Sequence, residues 1–211
     1  MQSLIDKVKE DERKMRKADL RLLQEQIQPH FLYNTLDTIV WLIESNEPDE
    51  AVTMVVTLSD FFREILSKGK EFISIKEEEK HISSYLQIQE MRYRDILEYD
   101  IQLDQVIYKY QILKLTLQPV VENALYHGIK NKRGKGKILI EGFDLDKDNM
   151  MLRVTDNGQG MTPERLHEVQ EAIRTGERAG FGIAAVSERI QLYYGPGYGV
   201  KISSTEGEGT V

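Results

Sequence analysis

The sequence predicts an α+β protein, a helical hairpin followed by an α/β sandwich, and three observations carry this. Up to about Met91, apolar side chains recur every three or four positions, the period of an amphipathic helix. From Ile96 onward, short β-rich runs alternate with helical patterns. All but one of the 15 glycines lie in that second part, the exception being Gly69. The 211 residues suffice for one large or two modest domains, and the composition shift divides them into residues 1–94 and 95–211.

In order along the chain, Leu4, Val8, Met15, Ala18 and Leu22, then Leu20, Leu23, Ile27, Phe31 and Leu32, trace one long helical stripe. Asp11 and the charges from Lys7 to Lys17 make its start a weak coiled-coil lead-in that needs a partner chain to bury its stripe, so a homodimer is expected. The pattern stops at SNEPDE, where Asn46 can cap and Pro48 suits the first turn of a second helix. Ala51, Val52, Val55, Val56, Leu58, Phe61, Phe62 and Ile65 continue that helix until Lys68-Gly69-Lys70 ends it. Ser74 with Glu77 has capping-box spacing and opens a third helix through His81, Tyr85, Ile88 and Met91.

Behind it, Ile96–Leu103, Ile138–Phe143 and Met150–Thr155 read as strands, the last two joined by the turn Asp146-Lys147-Asp148-Asn149. Leu113–His127, Glu164–Arg174 and Gly182–Tyr193 read as helices, and Gly199–Ser204 as a strand before the EGEG turn and the start of another.

Composition excludes several functions. No apolar run reaches the ~20 residues of a membrane span, and MQSLIDKVKEDERK has no signal-peptide core. Zero Cys rules out disulfides, thiolate metal sites and Cys nucleophiles, and His30, His81, His127 and His167 are too dispersed for a dedicated metal site. A net charge of −7 argues against a nucleic-acid partner.

Chemistry concentrates in four clusters. In VTDNGQGM a strand ends at Asp156, whose carboxylate can accept from an amino group, while Gly158 and Gly160 let the backbone come close to a ring or phosphate. In GFGIAAVSERI, Gly180 and Gly182 stand at the mouth of an amphipathic helix, whose amides favour an anion. In LQPVVENALYHGIK, Glu122 and Asn123 interrupt an apolar helix, and an Asn amide oxygen is a hard donor suited to Mg²⁺ shared with phosphates. GEGT, ending at Thr210, is by itself an ordinary hairpin.

The order NALYHG, DNGQGM, GFGI, GEGT resembles the nucleotide boxes of the ATPase fold shared by gyrase, Hsp90, histidine kinases and MutL. Upstream, QEQIQPHFLYNTLDTI from Gln24 to Ile39 resembles the phosphoacceptor box of the LytS/YesM-like branch of bacterial sensor histidine kinases. The resemblance implies ATP and Mg²⁺ as cofactors, a dimeric four-helix bundle built from two hairpins, and an α/β sandwich that binds ATP. It implies that His30 is phosphorylated and passes the group to an Asp on a response regulator, with Asn34 orienting the water for regulator dephosphorylation. It assigns Asn123 to the metal, Asp156 to the adenine amino group, and Gly158, Gly160, Gly180, Gly182 and Thr210 to the pocket.

It also implies membrane helices and an input domain upstream, so that this chain is the cytoplasmic portion of a cell-membrane receptor, and a further strand beyond Val211. The sequence departs from the pattern at two places. Phe31 follows the phosphoacceptor where an acid is common, which leaves Glu122, or more weakly Glu25, as the candidate base. Tyr126 stands where Lys is common, which shifts phosphate contact to His127 or Lys130, with Lys132, Arg133, Arg174 and Arg178 as further cations. A reading of another class is a nucleotide-gated dimeric signalling scaffold without phosphotransfer, which would tolerate loss of His30 and Asn123.

Overall fold

The computed structural model describes residues 29–66, 71–176 and 182–211. The coiled-coil lead-in, the Lys68-Gly69-Lys70 stop, Glu25, Arg178 and Gly180 lie outside the described residues.

Helices α1 (Pro29–Glu44) and α2 (Pro48–Leu66) form the predicted hairpin. Asn46 makes the corner at φ 61°, a left-handed conformation that Asn tolerates better than most residues, and Pro48 opens α2 with Asp49 and Glu50 in its first turn. The facing sides bury Phe31, Ile39 and Leu42 of α1 against Met54, Leu58 and Phe61 of α2. The opposite side leaves Leu36, Val40 and Ile43 of α1 and Val52, Val55 and Val56 of α2 exposed.

Strand β1 (Phe72–Ser74) leads into α3 (Ile75–Arg92). The capping box forms as the spacing predicts: Ser74 Oγ accepts from the Glu77 amide at 3.2 Å, and Glu77 Oε2 accepts from the Ser74 amide at 2.7 Å. Helix α3 packs on α2 with one side and on the following sheet with another, so a single apolar cluster runs from Phe31 through Phe61 and Tyr85 to Ile138 and Ile140. Arg94, in the turn after α3, pairs with Glu47 and Glu50 at the start of α2.

The main sheet comprises β2 (Leu97–Leu103), β4 (Gly136–Asp144), β5 (Met150–Asp156), β7 (Gly209–Thr210) and β6 (Ser204–Thr205), in that spatial order. Only β2 and β4 run parallel; the other pairs are antiparallel. Strand β3 (Gln111–Leu113) instead pairs with β1 in a second, two-stranded sheet. Helices α4 (Leu117–Asn123), α5 (Pro163–Thr175) and α6 (Gly182–Tyr194) supply the helical layer.

Two expectations are corrected. The helix predicted over Leu113–His127 is three pieces: Leu113 ends β3, α4 starts only at Leu117, and from Ala124 to Ile129 the coil widens to a π-helix. Periodicity could not show this, because Leu115 adopts φ 64° and its amide is taken by the Glu78 carboxylate of α3, a contact between residues far apart in sequence. The strand predicted over Gly199–Ser204 shrinks to Ser204–Thr205, although Ser203 still exchanges two 2.8 Å backbone hydrogen bonds with Val211. Gly199 at φ 139° sits over the Ser187 hydroxyl and breaks the extended run.

Phe61 joins the hairpin to α3, with ring centroids 5.1 Å from Phe31, 6.1 Å from Tyr85 and 4.9 Å from His81. Phe61→Ala is expected to cost about 3–5 kcal/mol by leaving a cavity among these rings, read as a lower midpoint in urea denaturation.

Candidate functional site

Asp156 is the last residue of β5, where it pairs with Ile138 of β4 on one side and Thr210 of β7 on the other. Asp156 is 5% exposed, and its Oδ1 accepts from the Gly158 amide at 2.8 Å. Burial pushes this carboxyl above its ordinary range, opposed by the Gly158 and Thr210 amides and by the charge of Lys132.

The glycines around it are required by close approach. A Cβ on Gly128, in the π-helical segment, would lie 2.5 Å from Asp156 Oδ1; one on Gly158 would lie 2.3 Å from the Gly128 carbonyl carbon. Gly160 (φ 64°) would meet Thr205 O at 1.9 Å, and Gly209 (φ 129°) would meet Asp156 O at 2.0 Å. Gln159 ties the loop back by donating to the His127 carbonyl at 3.0 Å. Three chain segments that the sequence keeps apart therefore meet around one carboxyl.

Asn123 closes α4 immediately before the π-helical widening, a distortion that recurs at functional sites. Its Nδ2 donates to Pro119 O at 2.6 Å, which fixes the amide so that Oδ1, the hard oxygen donor, is the other end. Across from it stands Gly182, the first residue of α6, whose added Cβ would come within 3.8 Å of Asn123 Nδ2. Asn123 turns its Nδ2 end toward Gly182, leaving Oδ1 as the hard donor that a phosphate-bound Mg²⁺ would take, and a buried acceptor carboxyl walled by glycine suits an adenine amino group, so the residue types present fit ATP with its metal.

The surrounding cations divide. Lys132 Nζ donates to Asn157 O at 2.5 Å, beside Asp156. Lys130 instead lies 5.6 Å from the ring centres of both Tyr93 and Tyr126, and His127 is exposed. Arg174 is paired with Glu171 at 2.6 Å. The Thr210 hydroxyl lies 2.9 Å from that of Ser204, whose oxygen also accepts from the Met161 amide, and so helps hold the glycine loop to the strand.

On α1, His30 is exposed, and Asn34, four residues on, places Nδ2 2.9 Å from Nδ1 and 3.0 Å from Nε2 of the ring. Phe31 is buried and stacks on Tyr85 at 5.4 Å, which explains why no acid follows the histidine: that position belongs to the core. The Tyr85 phenol is pushed well above its ordinary range, first by burial and then by the negative charge of Glu122. Glu122 Oε1 accepts from Gln118 Nε2 at 2.9 Å, and Gln118 Oε1 lies 2.7 Å from His81 Nε2.

Sequence reasoning missed Gly128, Glu78, His81 and Gln118 as members of these networks, and named Lys132 only as one of several cations. For Gly128 the tight NALYHG string was a usable signal; Glu78 stands in a run of three glutamates and offered none.

Residues 18–97 match the family model described as histidine kinase, and residues 111–211 match that described as histidine kinase-, DNA gyrase B- and HSP90-like ATPase. The chain belongs to the histidine kinase family. This histidine kinase chain is 34% identical over 196 residues to sensor histidine kinase YesM of Bacillus subtilis, covering 93% of this chain and 33% of that one. It is 31% identical over 186 residues to sensor histidine kinase BtsS of Escherichia coli, covering 88% of this chain and 31% of that one. The chain thus spans about a third of the length of these curated relatives. A solved histidine kinase domain from the blue-light activated kinase of Erythrobacter litoralis shares 19% identity at a TM-score of 0.46, covering 96% of this chain and 92% of that one. Among the described residues no helix is long and apolar enough to cross a membrane.

Asp156 holds its raised carboxyl at a cost to the fold. Because the folded-state carboxyl is shifted up, its ionisation opposes folding as pH rises through the window above 3.8. Asp156→Asn is therefore expected to melt higher than the wild type at pH 7, with the difference vanishing as pH falls below that window, in thermal melts without nucleotide.

Proposed function

We propose that the chain is the catalytic part of a two-component sensor kinase, which phosphorylates His30 from ATP and passes the phosphoryl group to an aspartate of a response regulator. The observation that carries this reading is the glycine-walled carboxyl of Asp156, with Asn123 opposite the start of α6, in one chain with an exposed His30 held by Asn34.

In this reading Asp156 accepts from the adenine amino group, Asn123 Oδ1 ligates the metal, and Gly158, Gly160 and Gly182 let the backbone enclose the nucleotide. Bound ATP with Mg²⁺ supplies the γ-phosphoryl group and neutralises its charge. A His30 ring nitrogen forms the new bond to phosphorus, the bridging P–O bond breaks, and ADP leaves. Glu122 takes the ring proton. Lys132, already beside Asp156, is the cation best situated to steer the nucleotide, with His127, Lys130 and Thr210 at the rim. Asn34, within hydrogen-bond reach of the ring, orients the water that later releases phosphate from the regulator.

The division at residues 94/95 belongs to the same reading. The turn from Arg92 to Ile96 serves as the hinge, and its opening would release the Arg94 pairs with Glu47 and Glu50. A homodimer covers the exposed Leu36, Val40, Ile43, Val52, Val55 and Val56 in a four-helix bundle. Membrane attachment, in this reading, comes through other segments of the full-length receptor, with these residues on the cytoplasmic side.

The test is incubation with Mg²⁺ and γ-labelled ATP. Acid-labile, base-stable label is expected on the wild type and none on His30→Gln; Asn123→Ala is expected to lose label because it loses Mg²⁺-dependent nucleotide binding. A folded, ATP-binding wild type that takes no label would instead favour a nucleotide-gated scaffold. In sedimentation, Val55→Glu with Val40→Glu is expected to shift a dimer to monomer.

A further inference from the structure

The π-helical segment Ala124–Ile129 ends against the loop that carries Gly158 and Gly160. The last carbonyls of a helix have no donors within it and are satisfied from outside. Here one residue supplies two donors. Gln159 gives its side-chain amide to the His127 carbonyl at 3.0 Å and its backbone amide to the Gly128 carbonyl at 3.2 Å. The Gln159 carbonyl in turn accepts from the Gly207 amide at 2.7 Å, in the turn between β6 and β7. Three segments that border Asp156 are thus tied through a single residue, and only the His127 tie is made by a side chain.

The Gln159 amide has one consistent orientation, because a carbonyl only accepts: Nε2 faces His127 O, and Oε1 is the other end. The residue is exposed, so exchanging its side chain removes this bond without opening a cavity in the core. What the bond holds is closely packed backbone. A Cβ added at Gly128 would lie 2.5 Å from Asp156 Oδ1, and one added at Gly158 would lie 2.3 Å from the Gly128 carbonyl carbon. The Gly158 amide donates to the same Oδ1 at 2.8 Å. The separation of residues 128 and 158 therefore fixes how the carboxyl is oriented and how much room is left beside it. The bond from Gln159 to His127 lies one residue from both.

We propose that Gln159 is a positioning residue for base recognition: its side-chain bond to the His127 carbonyl keeps Gly128 against Gly158 and so presents the Asp156 carboxyl, before any nucleotide arrives, as an acceptor for an exocyclic amino group. The proposal rests on the nucleotide reading for the ligand. Gln159 acts through Gly128, Gly158 and Asp156, and its contribution is preorganisation, since a slot already set in the free protein costs less to order on binding. Losing the bond therefore weakens a base that donates to Asp156 more than one that has nothing to donate. Adenine carries an amino group where hypoxanthine carries a carbonyl oxygen, so adenosine and inosine diphosphates separate the two cases.

Three variants of the 211-residue chain test this, each checked for native circular dichroism. Gln159→Met keeps the length of the side chain and removes its donor. Gln159→Lys restores a donor able to reach a carbonyl. Gln170→Met is the matched control, because Gln170 on α5 also donates Nε2 to a backbone carbonyl, that of Ile202 at 3.1 Å, outside the three tied segments. With Mg²⁺ present, the calorimetric Kd for ADP is expected to rise about three- to tenfold in Gln159→Met, the range of one neutral hydrogen bond, while that for inosine diphosphate stays within about twofold. Gln159→Lys is expected to remain within about twofold of wild type for both diphosphates, and Gln170→Met to match the wild type.

A second readout needs no nucleotide: the hydrogen exchange of the Gly158 amide, followed by NMR. It is expected to be about three- to tenfold faster in Gln159→Met and unchanged in Gln159→Lys and Gln170→Met. Equal losses for the two diphosphates in Gln159→Met, no loss at all, or no restoration in Gln159→Lys would overturn the proposal. A wild type that binds neither diphosphate while the expected exchange differences are seen would overturn the nucleotide reading and support the clamp around Asp156. The same wild type with unaltered Gly158 exchange in Gln159→Met would overturn both.

Discussion

The architecture depends on one buried carboxylate. Glu78 of α3 is fully enclosed, and its two oxygens accept the amides of Leu115 and Leu117 at 3.0 and 2.8 Å. It thereby caps α4 from outside the helix, a task the local Thr116 does not perform because its hydroxyl donates to the Leu113 carbonyl. Burial raises the Glu78 carboxyl, while the Leu117, Leu115 and Thr116 amides and then the charge of Arg189 pull it back. A carboxylate at a helix N-terminus also meets the favourable end of the backbone dipole. Around the same point, Lys114 Nζ donates to the Ile65 carbonyl near the end of α2 at 2.6 Å, and Arg189 of α6 donates to the Lys114 carbonyl at 2.6 Å. Four helices are therefore referenced to one short stretch of backbone.

That stretch sets where the candidate nucleotide-binding residues stand. Asn123 and Glu122 ride on the helix whose first turn Glu78 holds, and the π-helical segment that follows brings Gly128 against Asp156. The widening has a packing reason: the backbone at position 128 has to come close enough to the carboxyl that a Cβ would overlap it. Asp156 in turn is held between two strands and two glycines, in surroundings that oppose its ionisation. A desolvated group of this kind works against the fold and agrees with the ligand role proposed for it.

Phe31 illustrates how the helix that carries His30 faces both solvent and core. Adjacent residues on a helix point roughly 100° apart, so His30 is exposed while Phe31 enters the aromatic group formed with Phe61 and Tyr85. An acid at position 31 would bury a charge in that group. The hydrogen-bonded line from His81 through Gln118 to Glu122 stands next to Tyr85, in the same aromatic surroundings that take in Phe31.

The sequence by itself determined the hairpin, because its apolar period and the Asn46–Pro48 break are local, and the start of α3, because a capping box needs only Ser74 and Glu77. It also singled out His30, Asn123 and Asp156 as candidates for the chemistry, because they stand in strings whose order resembles that of one family. Tertiary structure alone decided what those residues stand beside. The break at Leu115, the widening after Asn123 and the shortened strand at Ser204 follow from Glu78, Gly128 and Gly199 meeting groups far away in the chain, and periodicity measures only neighbours. The buried line behind Glu122 is of the same kind. A histidine and a glutamine 37 residues apart read as ordinary helix residues until folding brings Nε2 within hydrogen-bond reach of Oε1 and excludes the water that would otherwise satisfy both.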